Sequence, residues 1–306
     1  MPVASAGSRG RSRPPAEIAS MFRLWRAFAD AVFYATLVLG LGGLLGNALV
    51  LWHLGLHIQR GPFSVYALHL AAADFLFLAC LVGFSAARAA LGALDFPSDT
   101  VTFLCFAAGL WLLAALSTER CLSHLLPACY PRCRPRHTSA AACALIWALS
   151  LPAVLLPADA CGHLRRRARP LACVSYHAAQ VAWLACLAAA ACVSGLALFC
   201  WVACCSRRAR PHFYGVVLGA VLLLALGGLP FALHWSLGGL LRALLPALGP
   251  VARLLACVHA GAKPLVYFAV CRQRGRREPL RAVLQRALGD KPEPGAPGPS
   301  LPLRLM

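Results

Sequence analysis

The chain has 306 residues, of which 60% are hydrophobic and only 13% are charged. A soluble domain usually carries about 25% charged residues, so this composition excludes an ordinary soluble protein. The net charge of +19 would suit a nucleic-acid-binding protein, but the basic residues form short clusters between apolar segments. We therefore expect loops that face water and lipid headgroups, and no nucleic-acid partner.

Seven segments are long and apolar enough to cross a bilayer, which takes about 20 residues. Each contains at most one charged residue, and they cover 31–59, 61–87, 101–118, 138–158, 174–206, 211–241 and 254–270. The bilayer core offers the backbone no hydrogen-bond partners, so each segment is predicted to be a helix. The first is too long for a signal-peptide core and is expected to stay as a signal anchor. Dense Gly and Ala favour close helix packing, although a generally Ala- and Gly-rich chain would show the same pattern.

These spans predict an all-α membrane protein with four parts. We expect a disordered extracellular tail over 1–27, a seven-helix domain over 28–271, an amphipathic helix over 272–289 and a disordered cytoplasmic tail over 290–306. The amphipathic segment has an apolar face and a basic face, which favours contact with anionic membrane lipids. Arginines are common on both sides of the spans, so the positive-inside rule only weakly favours an extracellular N-terminus.

The 15 cysteines lie mostly inside apolar segments, where Cys behaves as a small hydrophobe. Cys129 and Cys133 resemble half of a metal site, but no second pair follows, so a solvated loop is the better interpretation. The spans contain no nucleophile–base or metal constellation. We therefore expect no metal, no cofactor and no enzymatic activity.

Polar and helix-breaking residues inside the spans are more informative than the spans themselves, because lipid penalises them. They occur in the first, second, third, sixth and seventh spans as Asn47, Asp74, Glu119-Arg120-Cys121, Gly228-Leu229-Pro230 and Lys263-Pro264-Leu265-Val266-Tyr267. In type, span and order they resemble the motifs of rhodopsin-like receptors.

Within that class the chain resembles the Mas-related G-protein-coupled receptors. Cys121 replaces the usual Tyr, Gly228 replaces the usual Trp, and Asp95 replaces the Cys that usually opens the third span. The resemblance implies a plasma-membrane receptor that couples an extracellular ligand, either a peptide or a small molecule, to a heterotrimeric G protein. It also implies a disulfide between Cys161 and Cys173; two free thiols are the alternative.

The resemblance further implies an activation switch at the cytoplasmic ends of the third and seventh spans. We expect Arg120 to pair with Glu119 at rest and to meet the G protein when the sixth span moves outward. Tyr267, which follows Pro264, is expected to swing towards Arg120. The alternatives are that Arg120 reaches the lipid headgroups and that Tyr267 is simply packed at an interface.

Asp74 and Lys263 form the most informative pair. In rhodopsin-like receptors this Asp helps to bind sodium, and an Asn stands where Lys263 is. Two unpaired charges at mid-depth would each cost several kcal/mol, so we expect the Lys263 ammonium to replace the ion and pair with Asp74, with Asn47 nearby. A Lys263 that points into a water-filled channel is the alternative.

The sixth span is expected to bend at Pro230. Because Gly228 replaces the bulky Trp, we expect the cavity above it to be shallower or more open. A merely flexible Gly-Gly-Leu-Pro segment is the alternative. Candidate ligand-cavity residues are Asp159, His177 and Trp235, although no ligand can be assigned.

Two other functions fit parts of the pattern. A receptor-shaped protein that modulates other receptors, with weak or no signalling of its own, would tolerate the missing Trp and the substitution at Lys263. A transporter is disfavoured because the sequence has no internal repeat and only Asp74 and Lys263 at depth. The sequence leaves the formation of a receptor dimer open.

Overall fold

The computed structural model describes residues 16–56, 61–92, 98–127, 129–130, 134–135, 137–162, 164, 169–204, 212–237, 247–271 and 283. The predicted tail over 290–306 and, apart from Val283, the predicted amphipathic helix over 272–289 lie outside these residues.

Seven helices in the described chain are long and apolar enough to cross a membrane, which confirms the predicted fold class. They are α1 (Ala16–Leu56), α2 (Pro62–Leu91), α3 (Ser98–Leu125), α4 (Thr138–Ala160) and α5 (Pro170–Cys204). The sixth, α6, joins His212–Leu223 and Leu229–Ser236 through a π-helical turn over Leu224–Gly228, and α7 covers Leu248–Cys271.

The first helix begins earlier than the sequence analysis placed it. We predicted a disordered tail up to residue 27, but α1 already starts at Ala16. Its first turns contain good helix formers, and no Gly or Pro interrupts the chain between Pro15 and Gly40. Met21, Phe22 and Leu24 are exposed there, as suits a helix end in contact with lipid.

The helix α3 is the most buried of the seven spans. It packs against α2, α4 and α5, while α1 packs mainly against α7 and α2. Large side chains that point into the bundle, such as Phe77, Phe103 and Leu113, are fully buried, whereas many Leu and Val side chains on the outer surface are exposed. This distribution suits a bundle surrounded by lipid, because apolar side chains incur no penalty there.

Helices α1 and α7 come closest at two facing glycines. A Cβ added to Gly43 would lie 2.7 Å from the Cα of Gly261 and 2.9 Å from Leu78 Cδ1. Both glycines therefore allow a close backbone approach that no other residue would permit. The neighbouring Gly42 points away from this contact, and a Cβ there would meet nothing within 4 Å.

We expect Gly43→Ala to destabilise the protein by about 1–3 kcal/mol, since the added methyl must force α1 and α7 apart. The unfolding temperature of purified protein in detergent, followed by tryptophan fluorescence, measures this effect. Gly42→Ala is the matched control, because it gains the same helix propensity without the close contact, and its unfolding temperature should not fall below that of the wild type. Equal unfolding temperatures for the two variants would show that the close approach is not needed.

Candidate functional site

The middle of the bundle holds a buried ion pair between α2 and α7. The ammonium of Lys263 donates hydrogen bonds to both carboxylate oxygens of Asp74, at 2.7 Å to Oδ1 and 2.9 Å to Oδ2. The two side chains are only 1% and 6% exposed, respectively. Such short contacts between full charges are strong because water does not screen them.

This geometry does not fit a bound sodium ion. The Lys263 nitrogen lies against both oxygens of Asp74, where a cation would have to sit, and Gly109 offers no side-chain oxygen. A Cβ at Gly109 would be 3.8 Å from Asp74 Oδ1. Because Gly has no side chain, no oxygen reaches the carboxylate from this position. Among the described residues, no group of three or more His, Cys, Asp or Glu side chains is placed to hold a metal ion.

Asn47 lies on α1 and binds backbone rather than the ion pair. Its amide nitrogen donates to the carbonyl of Gly43 at 2.9 Å and to that of Ala260 at 3.2 Å. The second of these bonds crosses from α1 to α7, one turn before Lys263. Asn47 therefore helps to position the part of α7 that carries the ammonium, without contacting it in any described hydrogen bond.

Where we expected α6 to bend, the structure has a π-helical turn that ends at Gly228, two residues before Pro230. The N–H of Leu229 bonds to the carbonyl of Leu224, five residues back, so the chain gains one residue in this turn. A π turn of this kind accommodates the proline, whose ring cannot continue the regular ladder of hydrogen bonds.

The space beside Gly228 is filled rather than open. A Cβ at Gly228 would lie 2.8 Å from Leu224 Cδ1 and 3.4 Å from the imidazole of His259. The Leu224 side chain and the buried ring of His259 therefore occupy the space beside Gly228. The close approach of α7 to α6 is at Gly227, where a Cβ would lie 2.5 Å from the carbonyl oxygen of Leu255. The sequence offered no signal for this, because it depends on which face of α7 meets α6.

At the C-terminal end of α3, the described partners of Glu119 are not the neighbouring Arg120 that we expected. Glu119 forms its ion pair with Arg134, at 2.7 Å, and accepts a hydrogen bond from the Tyr130 hydroxyl. The physical reason is helix geometry, since adjacent side chains point about 100° apart and do not face each other. Glu119 and Arg120 thus face different neighbours.

Arg134 and Tyr130, the two partners just described, come from the loop between α3 and α4. No sequence pattern connected that loop to the switch. Arg134 also donates to the hydroxyl of Ser139 at the start of α4. Burial and the bond to Glu119 raise the pKa of Tyr130 to about 12, so its hydroxyl keeps its proton at neutral pH. The Glu119 carboxylate therefore ties this loop to α3.

Arg120 itself faces α2, where its guanidinium lies 4.1 Å from the centre of the Phe63 ring. A cation over an aromatic face at this distance is attracted to the ring. Tyr267 is only 3% exposed and packs within the core. Tyr267 follows Pro264 on α7. The ring of Pro264 would be 3.3 Å from a Cβ at Gly46 of α1.

On the opposite end of the bundle, a disulfide joins Cys161 at the end of α4 to Cys173 in the first turn of α5, as predicted. Asp159 pairs with Arg169 at 2.9 Å in the same hairpin. The predicted cavity residue Asp159 therefore belongs to the hairpin and does not line the cavity.

Beside the hairpin, a cavity of about 140 Å³ opens between the ends of α2 to α7. The other two predicted residues, His177 and Trp235, line it. His177 shares a hydrogen bond with the carbonyl of Ser236 and so connects α5 to α6. No sequence pattern singled out the charged residues of the rim, Arg88, Asp99 and Arg253, because they stand outside the apolar cores of the spans.

We expect Lys263→Met to destabilise the protein by about 3–5 kcal/mol, because it leaves the buried Asp74 carboxylate without its partner. Adding Asp74→Asn to that variant should restore most of the lost stability, since it removes the remaining charge. Unfolding temperatures of the single and double variants in detergent measure both effects. A double variant as unstable as the single one would contradict the pairing as the source of stability.

Comparisons with known proteins agree with this geometry. The family profile for the 7 transmembrane receptor (rhodopsin family) matches residues 46–211. The human Mas-related G-protein coupled receptor member G is 60% identical over 94% of this chain and 99% of its own length. The mouse member G is 48% identical over 93% of this chain and 98% of its own. The human Mas-related G-protein coupled receptor member E is 41% identical over 88% of this chain and 89% of its own.

These relatives are receptors rather than enzymes, and the matches cover nearly all of the chain. The resemblance to Mas-related receptors predicted from the polar residues of the spans is thereby confirmed. The chain belongs to the Mas-related family of rhodopsin-like G-protein-coupled receptors.

Proposed function

We propose that this receptor converts the binding of an extracellular ligand into activation of a heterotrimeric G protein through a two-state switch at the cytoplasmic end of α3. The observation that carries the proposal is the network of Glu119 with Arg134 and Tyr130. It holds the loop between α3 and α4 against the helix that also presents Arg120. A contact of this kind can exist in a formed and a broken state.

The network is suited to a switch because it is only partly shielded from water. The side chains of Glu119 and Arg134 are 17% and 13% exposed, so their attraction exceeds that of a surface pair but does not approach that of a fully buried one. In the proposed resting state, Arg120 stays over Phe63 on α2. In the active state, α6 moves outward and Arg120 turns towards the G protein.

The ligand and the G protein would then bias the same equilibrium from opposite ends of the bundle. Each favours the active state only by its difference in affinity between the two states, and the coupling between them is reciprocal. A π turn over Leu224–Gly228 interrupts the regular α-helix of α6. We infer that this turn is the hinge about which its cytoplasmic half moves.

We also propose that the N-terminus is extracellular and that the receptor lies in the plasma membrane. The Cys161–Cys173 disulfide supports this orientation, because disulfides persist in oxidising compartments and not in the cytosol. An N-terminal epitope tag should then bind antibody on intact cells, and a C-terminal tag only after permeabilisation.

We expect Arg120→Ala to abolish ligand-independent dissociation of G-protein subunits in cells that express the receptor. Glu119→Gln should raise it severalfold, because the neutral amide binds Arg134 less strongly and frees the loop. Resonance energy transfer between labelled subunits, run for each G-protein class, measures these signals at equal surface expression. Arg26→Ala, on the exposed outer end of α1, is the matched control and should behave as the wild type.

The opposite result has a definite meaning. If the wild type, Arg120→Ala and Glu119→Gln all reach the surface and none changes dissociation of any G-protein class, the proposed switch is wrong. The receptor-shaped modulator considered in the sequence analysis would then be the better description.

A further inference from the structure

Three charged side chains from three helices meet at the outer rim of the cavity. Arg88 comes from the last turn of α2, Asp99 from the first turn of α3 and Arg253 from the start of α7. Among the described lining residues, these two arginines face a single acidic residue, and the formal charge of the rim is therefore +1 with histidines neutral. The rim thus favours an anion over a cation.

The single carboxylate does not satisfy both guanidinium groups well. Arg88 and Arg253 approach the same oxygen of Asp99, Oδ1, at 3.4 Å and 3.7 Å, and Arg88 also donates to the hydroxyl of Ser98 at 3.1 Å. A well-formed contact between a guanidinium and a carboxylate is about 2.7–2.9 Å long and often uses both carboxylate oxygens. A second carboxylate could therefore bind here with better geometry than Asp99 provides.

Below the rim, the cavity is lined by aromatic rings held in fixed positions. Trp235 stacks on Phe103 with ring centres 4.4 Å apart and planes within 9° of parallel. Phe231 packs edge-on against Phe106, with ring centres 5.0 Å apart. Phe84 and Leu81 of α2 complete the apolar wall. A flat apolar group would fit this floor without displacing any charge.

A buried polar atom also indicates that the cavity receives a ligand. Gln180 of α5 lines the cavity and is 8% exposed. Its amide nitrogen donates to the carbonyl of Ala153 at 3.3 Å, but its buried oxygen has no hydrogen-bond partner among the described residues. A buried acceptor without a donor is costly, and a ligand with an N–H or O–H group would satisfy it.

We propose that this cavity binds a small carboxylate whose aromatic tail carries an O–H or N–H group. Arg88 and Arg253 hold its acid end, Trp235 and Phe231 hold its ring, and the buried oxygen of Gln180 accepts the hydrogen bond of its donor group. The proposal rests on the proposed function, in that such a molecule would be the activating ligand. Asp99 occupies the two guanidinium groups when no ligand is bound, and the ligand carboxylate takes its place. Asp99 therefore competes with the ligand carboxylate for the two guanidinium groups and lowers the affinity for the acid.

The test uses 3-(4-hydroxyphenyl)propionate as the probe and purified full-length receptor in nanodiscs of zwitterionic lipid. Equilibrium binding of the tritiated acid is measured directly, and the neutral 3-(4-hydroxyphenyl)propanamide and the cationic 3-(4-hydroxyphenyl)propylamine are used as competitors. We expect saturable binding of the acid, with the amide at least tenfold weaker and the amine weaker still.

Variants separate a ligand site from a simple latch between helices. Arg88→Gln and Arg253→Gln should each weaken binding of the acid at least tenfold, Arg253→Lys should weaken it less, and Asp99→Asn should strengthen it. Arg169→Gln is the matched control, because Arg169 pairs with Asp159 in the hairpin outside the cavity. It should bind the acid as the wild type does. The unfolding temperature of each variant checks that it is folded.

Three outcomes would overturn the proposal. They are an absence of saturable binding to the wild type, equal competition by the amide or the amine, and unchanged affinity in folded Arg88→Gln and Arg253→Gln variants. The last outcome would mean that Arg88, Asp99 and Arg253 serve only to hold α2, α3 and α7 together. Because binding is measured without a G protein, failure of this proposal and failure of the proposed signalling function are distinguishable.

Discussion

The ion pair between Asp74 and Lys263 constrains the whole bundle, because neither charge could remain buried without the other. Bringing two charges out of water costs several kcal/mol each, and only close mutual contact offsets that cost. The pair therefore fixes the distance between α2 and α7 at mid-depth. Two close contacts of α7 are compatible with that distance. One joins α7 to α1 at Gly43 and Gly261, and the other joins α7 to α6 at Gly227. Each contact depends on glycines, which have no side chain.

The same pair distinguishes this receptor from rhodopsin-like receptors in which the corresponding Asp helps to bind a sodium ion. An ammonium on a covalent stem cannot leave, so the centre of the bundle keeps its charge balance whatever the salt concentration outside. With His259 beside Gly228 in place of an indole, the core between the two ends of the molecule is built from different parts than those usual in its class. The C-terminal end of α3 has Glu119 and Arg120, and Glu119 is paired with Arg134 of the neighbouring loop.

Features that depend on a single segment could be predicted from the sequence, whereas contacts between segments distant in sequence mostly could not. The seven spans follow from length and apolarity alone, and pairing of Asp74 with Lys263 is the cheapest arrangement of two charges in lipid. The disulfide was implied by the family resemblance. Arg134 was not predicted as a partner of Glu119, because no local pattern in the sequence connects the two residues. The roles of His259 and of the Arg88–Asp99–Arg253 rim depend on how three helices are rotated, which no single segment encodes.

The π turn in α6 has a consequence for reading residue numbers along that helix. One additional residue in the turn rotates everything on one side of it by about 100° relative to a regular helix. A position counted back from Pro230 in regular turns would thus be assigned to the wrong face. In the structure, Gly219 faces Val266 and Gly215 faces Val270, so the N-terminal half of α6 presents glycines to α7 at a four-residue interval. Any alignment of this helix with a receptor that has no such turn needs a one-residue gap between Leu224 and Gly228.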